Sequence, residues 1–140
     1  MNKFSLRIYE ADNQFYLGDA VSMIVPTIDG FYGVQANHHN VVIAVQAGEI
    51  KFKVSEEDEE WKTAFVSDGM MRIEDNDVLI LIDSAEWPEE IDINRAREKE
   101  IAAREAMLQK KSLREFALAE SSLKRAVARL RIKGDDGFGI

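Results

Sequence analysis

Across the stretch "SAEWPEEIDINRA", Ser84 to Ala96, the spacing of apolar residues changes from every second position to every third or fourth. One element cannot carry both spacings. A period of two sends alternate side chains to the two faces of a strand, whereas a period near 3.6 gathers them on one stripe of a helix. The seam therefore commits the chain to a β part followed by an α part. We place the boundary so that residues 1–86 form one domain and residues 87–140 another.

Ahead of the seam, Phe4, Leu6 and Ile8 alternate with polar neighbours, as do Ile50, Phe52 and Val54. "AVSMIVP", "VVIAV", "KTAFV" and "DVLILI" are further β-rich runs, separated by turn-formers such as Asp29-Gly30, Ala47-Gly48, Asp68-Gly69 and "EDND". Short strands at this spacing, with no helical pattern among them, predict an antiparallel sandwich or barrel. The acidic run "SEEDEE" falls between two of them as a solvated hairpin loop. It lacks the spaced ligands and central glycine of an EF-hand calcium loop.

Behind the seam, Asp92 is placed to cap a helix over "INRAREKEIAAREAMLQK". "SLRE" from Ser112 is a capping-box pattern that opens a second helix. That helix carries Leu113, Phe116, Leu123, Val127 and Leu130 at a/d spacing. Two helices so close in sequence make an antiparallel hairpin. Its seam is rich in alanine (Ala96, Ala103, Ala119, Ala126), so it packs closely, buries little apolar area, and is marginal enough to open. The closing "KGDDGFGI" predicts a poorly ordered tail.

Charge follows the same division. Residues 1–86 hold 6 Lys/Arg against 16 Asp/Glu, a net of −10, while residues 87–140 hold 12 against 10, a net of +2. The total of −8 argues against general affinity for nucleic acid, which rests on neutralising phosphates. With no cysteine there are no disulfides, thiolate metal sites or thiol nucleophiles. The start "MNKFSLRIYE" has no apolar core of a secretory signal, and no run reaches the roughly 18 apolar residues of a membrane helix. No P-loop, dinucleotide fingerprint or nucleophile motif is present. His38 and His39, the only histidines, are sequence neighbours and a poor chelate, which favours structural hydrogen bonding over catalysis or metal binding. The expectation is a chain without catalytic residues, without a metal site and without a required cofactor.

Charge is concentrated at the seam itself. Glu86, Glu89, Glu90 and Asp92 are followed by Arg95. If the hairpin turns near Lys110-Lys111, antiparallel pairing sets Arg95 beside Arg125 and Arg129, which share a helix face at i, i+4. Two readings follow from the spacing. The cluster is a solvated ion-pair network of little energetic weight, or its guanidinium groups hold a ligand's phosphates through charge-assisted bonds.

Several motifs occur here in a specific order: "IVPTIDGFYGV" with Pro26, Gly30 and Gly33, then His38, Gly48, the Ser67-Asp68-Gly69 turn, "DVLILIDSAE" and "IDINRA". In this order the chain resembles, over essentially its whole length, the epsilon subunit family of bacterial and chloroplast F-type ATP synthases. The resemblance implies an N-terminal β-sandwich and a C-terminal helical hairpin. It departs from the family at Gln35, Ala36 and His38-His39-Asn40, where the usual pattern has an apolar residue and a proline before the histidine, and Ala-Pro or Thr-Pro after it.

The resemblance also implies a role. Such subunits are non-catalytic members of the rotor stalk. Their sandwich binds the gamma subunit and the c-ring, coupling ion flow to ATP synthesis. Their hairpin extends along gamma toward the catalytic alpha/beta ring and inhibits ATP hydrolysis; Lys124, Arg125, Arg129, Arg131 and Lys133 supply the basic last helix that acidic segments of the ring attract. Their place is peripheral, on the cytoplasmic face of the bacterial membrane. Some bind ATP as a regulatory ligand through an Ile/Leu-Asp-x-x-Arg-Ala motif, matched here by Ile91, Asp92, Arg95 and Ala96. By the same resemblance the supporting acid falls on Glu86, and the two second-helix arginines on Arg125 and Arg129. The competing expectation is a rotor adaptor whose arginines are structural and bind no nucleotide.

Overall fold

The computed structural model describes residues 2–11, 13–109 and 112–134. The chain divides into two compact units, Met1–Glu86 and Trp87–Ile140. The predicted loose tail from Asp135 onward and the Lys110-Lys111 turn lie outside the described residues.

The first unit is a sandwich of two five-stranded sheets. Its strands are β1 (Phe4–Glu10), β2 (Asn13–Ala20), β3 (Ser22–Thr27), β4 (Gly30–Gln35), β5 (Val41–Val45), β6 (Gly48–Lys53), β7 (Lys62–Val66), β8 (Gly69–Glu74), β9 (Asp77–Ile82) and β10 (Ala85–Glu86). The first sheet runs β2-β1-β9-β8-β5 and the second β10-β7-β6-β3-β4. Period-two alternation sets the inner faces: Phe4, Leu6, Ile8, Met71, Ile73 and Ile80 from one sheet, Met23, Val25, Ile50 and Phe52 from the other, all buried. The "SEEDEE" run, exposed from Glu56 to Glu60, joins β6 to β7, which pair as an antiparallel hairpin. Val54, expected to continue the alternation after Phe52, lies just past the end of β6.

One pairing corrects the antiparallel expectation. β1 and β9 run parallel, with Leu6 opposite Val78 and Ile8 opposite Ile80. Alternation fixes which face a side chain takes but not the direction of the neighbouring strand. A parallel pair needs a long crossover, and here everything between the two strands serves as one.

Chain segments that cross between the sheets are tied down by side chains. Ser67 leads from β7 to β8, and Ser84 from β9 to β10. The Ser84 N–H donates to Ser67 Oγ at 2.8 Å, and the Ser67 N–H donates to the Ser84 carbonyl at 2.9 Å. Asp68 Oδ1 accepts from the Ala47 N–H at 2.8 Å, on a third crossing. Gly69 follows because no side chain fits: a Cβ there would lie 2.0 Å from the Leu81 carbonyl oxygen. The two-residue β8–β9 turn, Asp75-Asn76, has positive φ at both positions, as a type I′ turn requires. Asn76 also accepts from the Asn37 N–H at 2.7 Å and donates to the Lys3 carbonyl at 2.9 Å, fastening the β4–β5 crossing.

The second unit opens with a short 3-10 turn, Pro88–Glu90, followed by α1 (Ile93–Gln109) and α2 (Leu113–Ile132), which pack against each other. Ser112 caps α2, its Oγ accepting from the Glu115 N–H at 3.0 Å. The buried residues of α1 are Ala96, Glu100 and Ala103; those of α2 are Ala119, Ala126 and Leu130. Phe116, Leu123 and Val127 are half-buried, whereas Leu113 is 91% exposed. The a/d spacing marks a face of the helix. It does not supply a partner, and Leu113 stands at the very start of α2, beyond most of α1.

Candidate functional site

Four acids mark the junction, and two of them serve the backbone. Glu90 Oε1 accepts from the Trp87 N–H at 2.9 Å, closing the 3-10 turn. Asp92 is the N-cap of α1: its Oδ1 accepts from the Arg95 N–H at 3.1 Å, and its carbonyl from the Ala96 N–H at 3.0 Å. A carboxylate here satisfies helix donors that would otherwise lack partners and meets the positive end of the helix dipole. Glu89 is exposed. Glu86 belongs to the first unit, on β10 opposite Phe65.

Ile91 and Ala96, the apolar members of the motif, are buried at 4% and 2% exposure. Arg95 is exposed one turn into α1, while Arg125 and Arg129 are half-buried on α2. Facing levels of the hairpin can be counted from its alanines. Ala96 and Ala126 are equally far in sequence from position 111, and so are Ala103 and Ala119. On that count Arg95 stands level with Val127, between Arg125 and Arg129.

Their guanidinium groups behave differently. Arg125 Nη1 donates to Ser121 Oγ at 2.7 Å, one turn back along α2. Helical side chains lean toward their own N-terminus. In an antiparallel pair, Arg95 then leans toward the open end of the hairpin and Arg125 toward the turn. Sequence spacing counts Cα positions and misses this lean. Among the described residues neither Arg95 nor Arg125 is in an ion pair, which leaves both cations available to an anion. A phosphate at the open end would draw Arg125 off Ser121, a displacement of about one helical turn, roughly 5 Å.

Elsewhere, His38 has a structural setting. Its Nδ1 lies 2.8 Å from the His39 carbonyl, which makes Nδ1 the donor and Nε2 the acceptor for the Tyr32 hydroxyl at 2.6 Å. The two imidazoles stack, with centroids 4.3 Å apart. Stacked rings still cannot chelate one ion. Sequence reading had no signal for the outer face of the first sheet. There Val42, Arg72, Leu79, Arg7 and Leu17 stand in register across all five strands. Val42 and Leu17 are more than half exposed, and Met70 and Leu81 lie in the next row.

Among the described residues no helix is long and apolar enough to cross a membrane. The family model for the ATP synthase delta/epsilon chain β-sandwich domain matches residues 3–88, and that for the long α-helix domain of the same chain matches residues 89–134. The ATP synthase epsilon chain of Caldanaerobacter subterraneus subsp. tengcongensis is 42% identical over 130 residues, 92% of each chain. That of Ruminiclostridium cellulolyticum is 38% identical, covering 93% of this chain and 95% of the relative. In a structure of the Euglena gracilis mitochondrial ATP synthase comprising OSCP, F1 and c-ring, a chain superposes with a TM-score of 0.77 at 21% identity, over 89% of this chain and 77% of that one; this is a likeness of fold. With both family domains matched in order and together spanning nearly the whole sequence, the chain belongs to the ATP synthase delta/epsilon chain family.

Proposed function

We propose that this chain is the non-catalytic epsilon subunit of an F-type ATP synthase, part of the central rotor stalk, with a hairpin that inhibits ATP hydrolysis and folds closed around ATP. What supports the reading is the pairing of a complete sandwich with an Ala-seamed hairpin, together with the match of both parts to the family's two domains. Two exposed apolar places on the sandwich, the outer face of the first sheet and the Ile28/Phe31 tip between β3 and β4, offer surfaces for gamma and the c-ring. The subunit is then peripheral on the cytoplasmic face of the bacterial membrane.

At the hairpin, Arg95, Arg125 and Arg129 hold the phosphates, and Ile91 and Ala96 line the base with Asp92. Because the site needs both helices, ATP favours the closed form. Ligand at about 100 times its dissociation constant stabilises the competent state by about 2.7 kcal/mol, enough to reverse the population of a marginal hairpin. Calorimetric titration of ATP into the isolated chain tests this. Binding should be seen in wild type and fall at least tenfold in Arg125→Ala and Arg129→Ala, with helicity retained. The Ser121 bond favours a second reading, in which Arg125 is structural and the subunit binds no nucleotide. Absence of binding by wild type at millimolar ATP would establish that reading instead.

A further inference from the structure

Of the three arginines Arg95, Arg125 and Arg129, only Arg125 has a hydrogen-bond acceptor four residues back along the chain. That residue is Ser121, whereas the same position is Ile91 for Arg95 and Arg125 itself for Arg129. Helical side chains lean toward the N-terminus, so four residues back is where a guanidinium finds its acceptor. Arg125 Nη1 donates to Ser121 Oγ at 2.7 Å, and both residues are half-buried. Arg104 makes the same reach on α1, to Glu100 Oε2 at 3.2 Å, but its acceptor is a carboxylate. The two bonds differ in charge. A carboxylate neutralises the guanidinium it holds, whereas a hydroxyl holds it and leaves its charge intact.

We infer that Ser121 sets the ATP affinity of the hairpin by holding Arg125 back from the phosphates. The inference rests on the ATP site proposed above and adds a residue outside it. For a cationic donor, a phosphate oxygen is a stronger acceptor than a hydroxyl, so ATP wins Arg125. The bond to Ser121 is then lost, and its strength is subtracted from that of binding. Ser121 is thus a positioning residue. It acts through Arg125 and raises the ATP concentration at which the two helices close on the ligand.

Calorimetric titration of ATP into variants of the full isolated chain tests this. Ser121→Ala removes the competing acceptor and should bind ATP about fivefold more tightly than wild type, the worth of one hydrogen bond between half-buried groups. Ser121→Thr keeps the hydroxyl and should bind within about twofold of wild type. Ser121→Asp sets a carboxylate before Arg125, as Glu100 stands to Arg104, and should bind about fivefold more weakly. Alanine also raises helix propensity, so Ser121→Ala is repeated in the Arg125→Ala chain, where it should change affinity less than about twofold. An equal gain in both backgrounds would overturn the inference, because helix stability would then account for it. Binding by wild type with no gain in Ser121→Ala would overturn it and leave the ATP site standing. No binding by wild type at millimolar ATP would overturn both.

Discussion

Asp92 shows how one side chain satisfies two demands. Its place in the motif and its place as a helix cap coincide, and both were legible because capping chemistry and spacing are local properties. The direction of Arg125 was not legible, since a lean along the helix depends on which neighbour offers an acceptor, here Ser121. Gly69 was visible as a turn-former, but its reason is tertiary. Gly69→Ala pushes a methyl into the Leu81 carbonyl, a backbone atom that cannot step aside, and should cost about 3 kcal/mol, read from the denaturant midpoint of the sandwich. A milder prediction concerns Tyr16, whose hydroxyl pKa is raised above 10.0 by burial first and by the charge of Asp19 second. The folded state thus holds that proton more tightly than the unfolded chain. Its contribution is complete below the unfolded tyrosine pKa and is lost as pH rises through the higher folded value. Tyr16→Phe should remove part of the alkaline loss of stability in melts taken between pH 9 and about 12, with little change at neutral pH.

Among the elements, β5, β7 and β9 coincide with the runs "VVIAV", "KTAFV" and "DVLILI", and α1 begins one residue past its expected cap. Period and punctuation carry that much. The parallel β1–β9 pair was hidden, because strand direction is settled only when distant segments meet. The exposure of Leu113 was hidden for a related reason, since a helix face has meaning only where a partner covers it. The capping of α2, by contrast, is a local device with a local test. Ser112→Ala removes the acceptor for the Glu115 N–H and should destabilise the hairpin by about 1 kcal/mol, seen as roughly fivefold faster exchange in α2. The sandwich melt should not move, and a parallel shift of both units would show that they unfold together.

In the whole molecule, the charge asymmetry read from composition falls on the two units, the acidic sandwich and the weakly basic hairpin. Each unit has its own core, so a chain ending after Trp87 should fold cooperatively and still bind gamma. Loss of residues 88–140 should raise ATP hydrolysis by the assembled complex severalfold, most at low ATP, while ATP synthesis persists. Equal hydrolysis rates with full and shortened chains at every ATP concentration would refute regulation by the hairpin. The β1–β9 pair bears on the order in which the protein comes into being. β1 leaves the ribosome first, yet its inner neighbour in the first sheet is β9, which emerges almost last. Until Ile82 is clear of the exit tunnel, β1 has only β2 beside it, and a two-stranded ribbon is marginal in water. The nascent sandwich therefore stays open until β9 emerges, by which time residues of the hairpin have already been joined to the chain and lie behind it in the tunnel.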